Sequence, residues 1–215
     1  MKVLYVTLFA VVSDQITKIF VKGLNIPSLG ISIPGMPYGS SKPVFGNFVK
    51  LTFIENPGMA FGILLSPRVL LPLIVFLASI AIVYYIYRHR KDPLMLRLAF
   101  ALILAGALGN LMDRTFYGLI YGYAPFFYGR VVDFLQIEFW DFIFLGKTYT
   151  TWPILNIADL AVTAGFVILF FNRQFLGLPY KLAVQQENEI TNSDDTQEKS
   201  AHIQKDINNI ISDYN

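Results

Sequence analysis

The chain has 215 residues, no cysteine, two histidines and a formal net charge of only +2. Hydrophobic residues make up 54% and charged residues 15%, whereas soluble domains carry about 25% charged residues. This balance excludes disulfides, thiolate metal sites and a cysteine nucleophile, and it gives no basic excess for binding nucleic acid. His89 lies in a basic run and His202 in a polar tail, so no histidine triad or zinc site is expected. Chemistry is left to carboxylates, hydroxyls, amides and lysines, with no metal and no other cofactor.

A membrane-spanning helix needs roughly 20 mostly apolar residues, and four stretches approach that length. The first, 3–21, carries Asp14, Gln15 and Lys18 in its second half. A retained helix fits it better than a cleaved signal peptide, because no small-x-small site follows promptly. Asp14 and Lys18 are also four apart, on one helical face. The first outer connection, 22–68, mixes Gly, Pro and Ser with an alternating run from Phe48 to Phe53 that predicts short strands. The second span, 69–87, has no charge; the turn after it reads Arg88, His89, Arg90, Lys91, Asp92. The third span, 94–112, ends near Asn110, with Asp113 and Arg114 just beyond. The second outer connection, 113–153, is rich in aromatic residues such as Phe116, Tyr121, Phe127 and Tyr128, which favour the headgroup region. The fourth span, 154–171, opens with Asn156 and Asp159.

Short loops dense in cations face the cytoplasm, so the Arg88–Lys91 turn and both termini are expected there. The tail, 183–215, is polar and acid-rich. It is either a frayed cytoplasmic tail or, from Ile203, Ile207, Ile210 and Ile211, one short amphipathic helix.

On this topology the ionisable residues within the spans, Arg97 beside the cationic turn aside, gather at one depth, near the outer face. Each costs at least about 2.5–3.5 kcal/mol in hydrocarbon, so the layer reads as a polar site between helices. Lys18 and Arg114 could alternatively be helix-end residues reaching the headgroups; Asp159 is too short for that. Two aspartates held close share a proton, one activating water and the other polarising a carbonyl. Asp133, among apolar neighbours in Val131-Val132-Asp133-Phe134, and Asp159 are the favoured pair. Asp113 competes with Asp133 on spacing, but Arg114 beside it points to a structural ion pair. A transporter would need the polar path to continue inward, and the inner halves of the spans are apolar. A non-catalytic scaffold is distinguished by the response to Asp159→Asn. No His-Glu-x-x-His occurs for a zinc protease.

Five blocks carry a resemblance. They are Asp14-Gln15-Ile16-Thr17-Lys18; Glu55-Asn56-Pro57-Gly58-Met59-Ala60-Phe61-Gly62; Gly109-Asn110-Leu111-Met112-Asp113-Arg114; Val131-Val132-Asp133-Phe134; and Asn156-Ile157-Ala158-Asp159. In this order the chain resembles the lipoprotein signal peptidase (signal peptidase II) family. The resemblance implies an all-α polytopic protein of the bacterial inner membrane. It would have four transmembrane helices, a small extracytoplasmic β-cradle and a short interfacial helix. It implies a membrane protease domain over 1–182, acting near the outer face as an aspartyl endopeptidase. It implies Asp133 and Asp159 as the catalytic dyad, with Asp14, Lys18, Asn56, Asn110, Asp113, Arg114 and Asn156 supporting the site or holding substrate. The expected partners are diacylglyceryl-modified prolipoproteins, cut just before the lipidated cysteine, and membrane lipids, with the chain a monomer. Thr17 replaces the usual Ser, Pro57 stands where Thr is common, and 31–43 and 139–152 look like insertions.

Overall fold

The computed structural model describes residues 2–46, 48–60, 63–64, 69–138, 142–144, 147–149 and 153–171. For 59–60, 63–64, 142–144 and 147–149 it describes the backbone alone. The expected tail, with its isoleucine pattern, lies outside the described residues. The chain forms two compact units, Met1–Leu169 and Phe170–Asn215. Of the second, only Phe170 and Phe171 are described, their rings edge to face at 5.3 Å.

Helix α1 covers Leu4–Lys22. Its polarity is inverted relative to a water-soluble helix. Thr7, Asp14, Lys18 and Val21 are buried, while Tyr5, Leu8, Phe9, Val12, Ile16 and Phe20 are exposed. This is the arrangement expected where the surroundings are apolar and polar side chains must find partners inside. After β1 (Leu24–Ile26) and β2 (Ile31–Ile33), β3 (Ser41–Phe45) and β4 (Val49–Asn56) follow. The predicted short strand near Phe48–Phe53 is thus the eight-residue β4. Short strands β5 (Met59–Ala60) and β6 (Ile63–Leu64) precede α2 (Leu70–Arg88).

Helix α3 (Leu94–Met112) runs on through a π-helical turn, Asp113–Tyr117, into the three-residue α4 (Gly118–Ile120). The result is one helical stretch of 27 residues, longer than the predicted third span. Then come β7 (Val131–Ile137), β8 (Phe142–Phe144), β9 (Lys147–Tyr149) and α5 (Ile157–Phe171). Among the described residues three helices, Leu4–Lys22, Leu70–Arg88 and Leu94–Ile120, are long and apolar enough to cross a membrane, and α5 is a shorter apolar helix.

Contacts along the helices fix their relative directions. Thr7 donates to the Ala101 carbonyl at 2.8 Å and Gln15 to the Gly109 carbonyl at 3.1 Å, so α1 and α3 run the same way. Helix α5 runs against α3, because Gly106 and Gly109 meet Ala158, while Gly165 meets Ala99. These glycines permit the approach: a Cβ on Gly106 would stand 2.2 Å from the Ala158 carbonyl oxygen, and one on Gly165 2.7 Å from that of Ala99. Small residues of this kind are what let helices touch where no hydrophobic effect drives them together.

The sheet that matters for the site is β3–β4–β7, antiparallel throughout. Strand β7 pairs Asp133 with Ile54 and Val132 with Glu55. Its other side meets the segment entering α5: Phe134 and Leu135 both donate backbone N–H to Leu155, at 2.9 and 2.7 Å. Val21, Phe53, Tyr117, Val132 and Phe134 form a buried apolar cluster joining α1, β4, the π turn and β7.

Candidate active site

The polar residues of α1, α3 and α5 meet beneath β7. Lys18 is fully buried, its Nζ 2.8 Å from Asp14 Oδ2, 2.8 Å from Asp113 Oδ2 and 3.0 Å from Asn110 Oδ1. The alternative of a headgroup-reaching Lys18 is therefore replaced by a buried ion cluster. The expected Asp113–Arg114 pair is also corrected: Asp113 pairs with Lys18. Consecutive helical residues point about 100° apart and do not face each other. Arg114 instead donates through Nη1 to the Asn110 carbonyl at 3.4 Å.

The two carboxylates of the cluster each hold a backbone N–H with their other capacity. Asp113 Oδ2 accepts from Val132 at 3.1 Å, and Asp14 Oδ1 accepts from Ala158 at 2.9 Å. Those are the residues immediately before Asp133 and Asp159. The cluster thus clamps the strand and the helix that carry the candidate dyad.

Asn156 joins the two aspartates. Its Nδ2 donates to Asp133 Oδ1 at 2.6 Å, and its backbone N–H donates to Asp159 Oδ2 at 3.1 Å. In return its Oδ1 accepts the Asp159 N–H at 2.9 Å. With Asn156 preceding the first helical residue, this is a reciprocal capping box that starts α5. The Asn-x-x-Asp spacing is therefore also a local instruction to begin a helix. Asn110 completes the network: Nδ2 donates to Asp159 Oδ1 at 2.9 Å, while Oδ1 accepts from Asn156 at 3.0 Å. Asp133 and Asn156 are buried; Asp159 and Asn110 are half-buried.

The electrostatics of the two aspartates differ. Burial, followed by the charge of Asp159, pushes the Asp133 carboxyl up to about 7, against the opposing effect of the Asn156 donor. Asp159 lies in the first turn of α5, where the helix dipole favours negative charge, and two N–H groups point at its oxygens. The arrangement favours the protonated form at Asp133.

Asn56 accepts the Gly58 N–H at 2.9 Å and shapes the turn after β4. Pro57 and Gly58 from that turn line a cleft with Arg114, Phe127, Tyr128 and Gly129. Arg114 lies within electrostatic reach of Asp113, Asp133 and Asp159, and its Nε is buried without a hydrogen-bond partner. Sequence reasoning gave no role to Gln15. It donates to Asp14 at 3.2 Å and Asp113 at 2.9 Å and accepts from the Tyr117 hydroxyl at 3.1 Å. Its position in an apolar helix beside Asp14 was the available signal. Among the described residues no group of His, Asp and Glu side chains is arranged to hold a metal ion.

The family described as Signal peptidase (SPase) II matches residues 6–175. The lipoprotein signal peptidase of Amoebophilus asiaticus (strain 5a2) is 32% identical over 209 residues, covering 88% of this chain and 84% of that protein. That of Chlorobium phaeovibrioides (strain DSM 265 / 1930) is 39% identical over 140 residues, covering 64% and 76%. A bacterial membrane enzyme solved by the in meso method at 1.9 Å superposes with a TM-score of 0.58 at 29% identity, covering 79% of this chain and 90% of the other. The chain belongs to the signal peptidase II family of membrane proteases.

Proposed function

We propose that Asp133 and Asp159 are the catalytic dyad of this signal peptidase, acting on prolipoproteins whose cysteine carries a diacylglyceryl group. Asp159 takes a proton from water as the oxygen attacks the scissile carbonyl carbon. Asp133 donates its proton to the carbonyl oxygen. Collapse of the tetrahedral species breaks the C–N bond as Asp159 passes its proton to the leaving cysteine amine and a gem-diol hydroxyl returns one to Asp133, and the signal peptide departs with a new carboxyl end. The observation that carries this reading is Asn156, bonded to both carboxyls in a buried setting. Arg114, with a free Nε over the cleft, holds a substrate carbonyl, and the Asn56 turn forms the facing wall.

The same reading makes α1, α2, the α3–α4 stretch and α5 four spans, and β3–β4–β7 the extracytoplasmic cradle. It makes α4 and the aromatic segment after it the interfacial element. The cationic turn after α2 and both termini face the cytoplasm of the bacterial inner membrane. Residues 1–182 form the protease domain, a monomer surrounded by membrane lipids, and 183–215 a cytoplasmic tail. The test uses purified protein with diacylated and non-acylated prolipoprotein. Cleavage should require the acylated form and vanish in both Asp133→Asn and Asp159→Asn, with insertion unchanged. Turnover within about tenfold of wild type in either variant, a rise of less than about 1.4 kcal/mol in the barrier, would remove that residue from the chemistry.

A further inference from the structure

Helix α2 carries a groove that no residue of the aspartate network lines and that the protease reading does not use. Its floor is a stripe of α2, Phe76, Ile80, Val83, Tyr84 and Tyr87, closed on one side by Leu108 of α3, with a volume of about 450 Å³. The stripe follows helical spacing, so the residues share one face. Ser79 also lines it, but its hydroxyl is committed to the Val75 carbonyl at 2.8 Å. The groove therefore offers no polar partner along its length. From Phe76 to Tyr87 it runs about 16 Å at 1.5 Å per residue, close to one leaflet of a roughly 30 Å hydrocarbon core.

Its Tyr87 end opens onto a net positive charge. Arg88, Arg90, Lys91 and Arg97 surround the turn between α2 and α3. None of them has a carboxylate partner among the described residues: Asp92 is taken by His89 at 3.0 Å. Arg90 is tied to the groove itself, its guanidinium 5.4 Å from the Tyr87 ring centroid. Arg97 lies on the α3 face of Ala101, Leu104 and Leu108, and that face packs on Ile86 of α2. Its Nε is buried without a partner.

We infer that this groove and its cationic mouth form a binding site for an anionic phospholipid. One acyl chain lies along Phe76–Tyr87, and the phosphodiester is held by Arg90 and Arg97, with Arg88 and Lys91 adding attraction. The combination selects this occupant. A neutral lipid would satisfy the apolar stripe and leave the cations unpaired. A free phosphate would meet the cations and leave the groove uncovered. Basic clusters next to a span attract anionic lipid, each cation contributing measurably.

The experiment titrates the full-length protein in neutral-lipid nanodiscs with phosphatidylglycerol or extra phosphatidylcholine, read by native mass spectrometry and by the thermal unfolding midpoint. Phosphatidylglycerol should bind at least about tenfold tighter than phosphatidylcholine and raise the midpoint. The variant Arg90→Gln/Lys91→Gln/Arg97→Gln should abolish the preference, and Ile80→Trp, which fills the groove, should block the bound lipid in wild-type charge context. Equal binding of the two lipids by wild-type protein would overturn the site. So would a preference untouched by the triple substitution. Displacement of the lipid by millimolar inorganic phosphate would assign the cations to a free anion. One-for-one displacement by a synthetic signal-peptide helix would assign the groove to substrate. The wild-type comparison needs no variant to fold.

Discussion

Asn156→Ser separates the two tasks that one side chain performs. Serine is as good an N-cap as asparagine, so the start of α5 and the position of Asp159 should survive. What serine lacks is the Nδ2 group that donates to Asp133 at 2.6 Å and to Asn110 at 3.0 Å. A hydrogen bond to a charged or charge-sharing group contributes about 1.5–3 kcal/mol. If that bond orients Asp133 in the transition state, its loss slows cleavage by about 10- to 150-fold. Asn156→Ala should show the same slowing plus about 1 kcal/mol of lost stability from the missing cap. The assay is single-turnover cleavage of a diacylated prolipoprotein, with thermal unfolding followed in parallel. Because the Asn156 donor holds the Asp133 carboxyl down, its removal should also move the alkaline limb of the rate profile upward. Full activity in Asn156→Ser, or a limb that does not move, would refute the role assigned to the Asn156–Asp133 bond.

Further outcomes follow from the same network and from the helix packing that holds it. With the Asp133 carboxyl at about 7 and required as an acid, the wild-type rate should fall as pH rises through about 7, and also on the acid side as the coupled pair gains a second proton. The sign for stability is the same: a carboxyl raised in the folded state stabilises fully below its ordinary 3.8 and loses that contribution as pH rises through about 7. Unfolding midpoints should show this decline in wild type and lack it in Asp133→Asn. Lys18→Met would leave Asp14 and Asp113 buried without their cation, at a cost of about 3–5 kcal/mol; a drop under about 1 kcal/mol in reversible unfolding would contradict the buried cluster. Gly106→Val would drive a side chain into Ala158 and Val162. Overpacking of this kind costs about 1–3 kcal/mol, and by shifting α5 it should reduce cleavage more than it reduces membrane insertion, measured on the same preparation.

Much of this protein was legible along the chain because the governing rules are local. Apolar stretches of spanning length, a charge-dense turn after Tyr87 and the gathering of Asp14, Lys18, Asn110, Asn156 and Asp159 toward one end of their helices follow from the cost of placing charge in hydrocarbon. The Asp14–Lys18 pair and the Asn156–Asp159 box are four and three residues apart, within the reach of a single helical turn. Only the tertiary structure decided what those residues meet. Asp113 finds Lys18 rather than its neighbour Arg114, because the direction of a helical side chain is set by the helix and its partner by packing. Asp133 reaches Asn156 across 23 positions because β7 pairs with Leu155, the residue just before α5. Asp14 holds the Ala158 N–H across 144 positions, and Gly106 and Gly109 let α5 come close enough for it to do so. Local periodicity places a polar residue on a face; the choice among several carboxylates on that face depends on which strands and helices close over it, and that is a property of the folded chain.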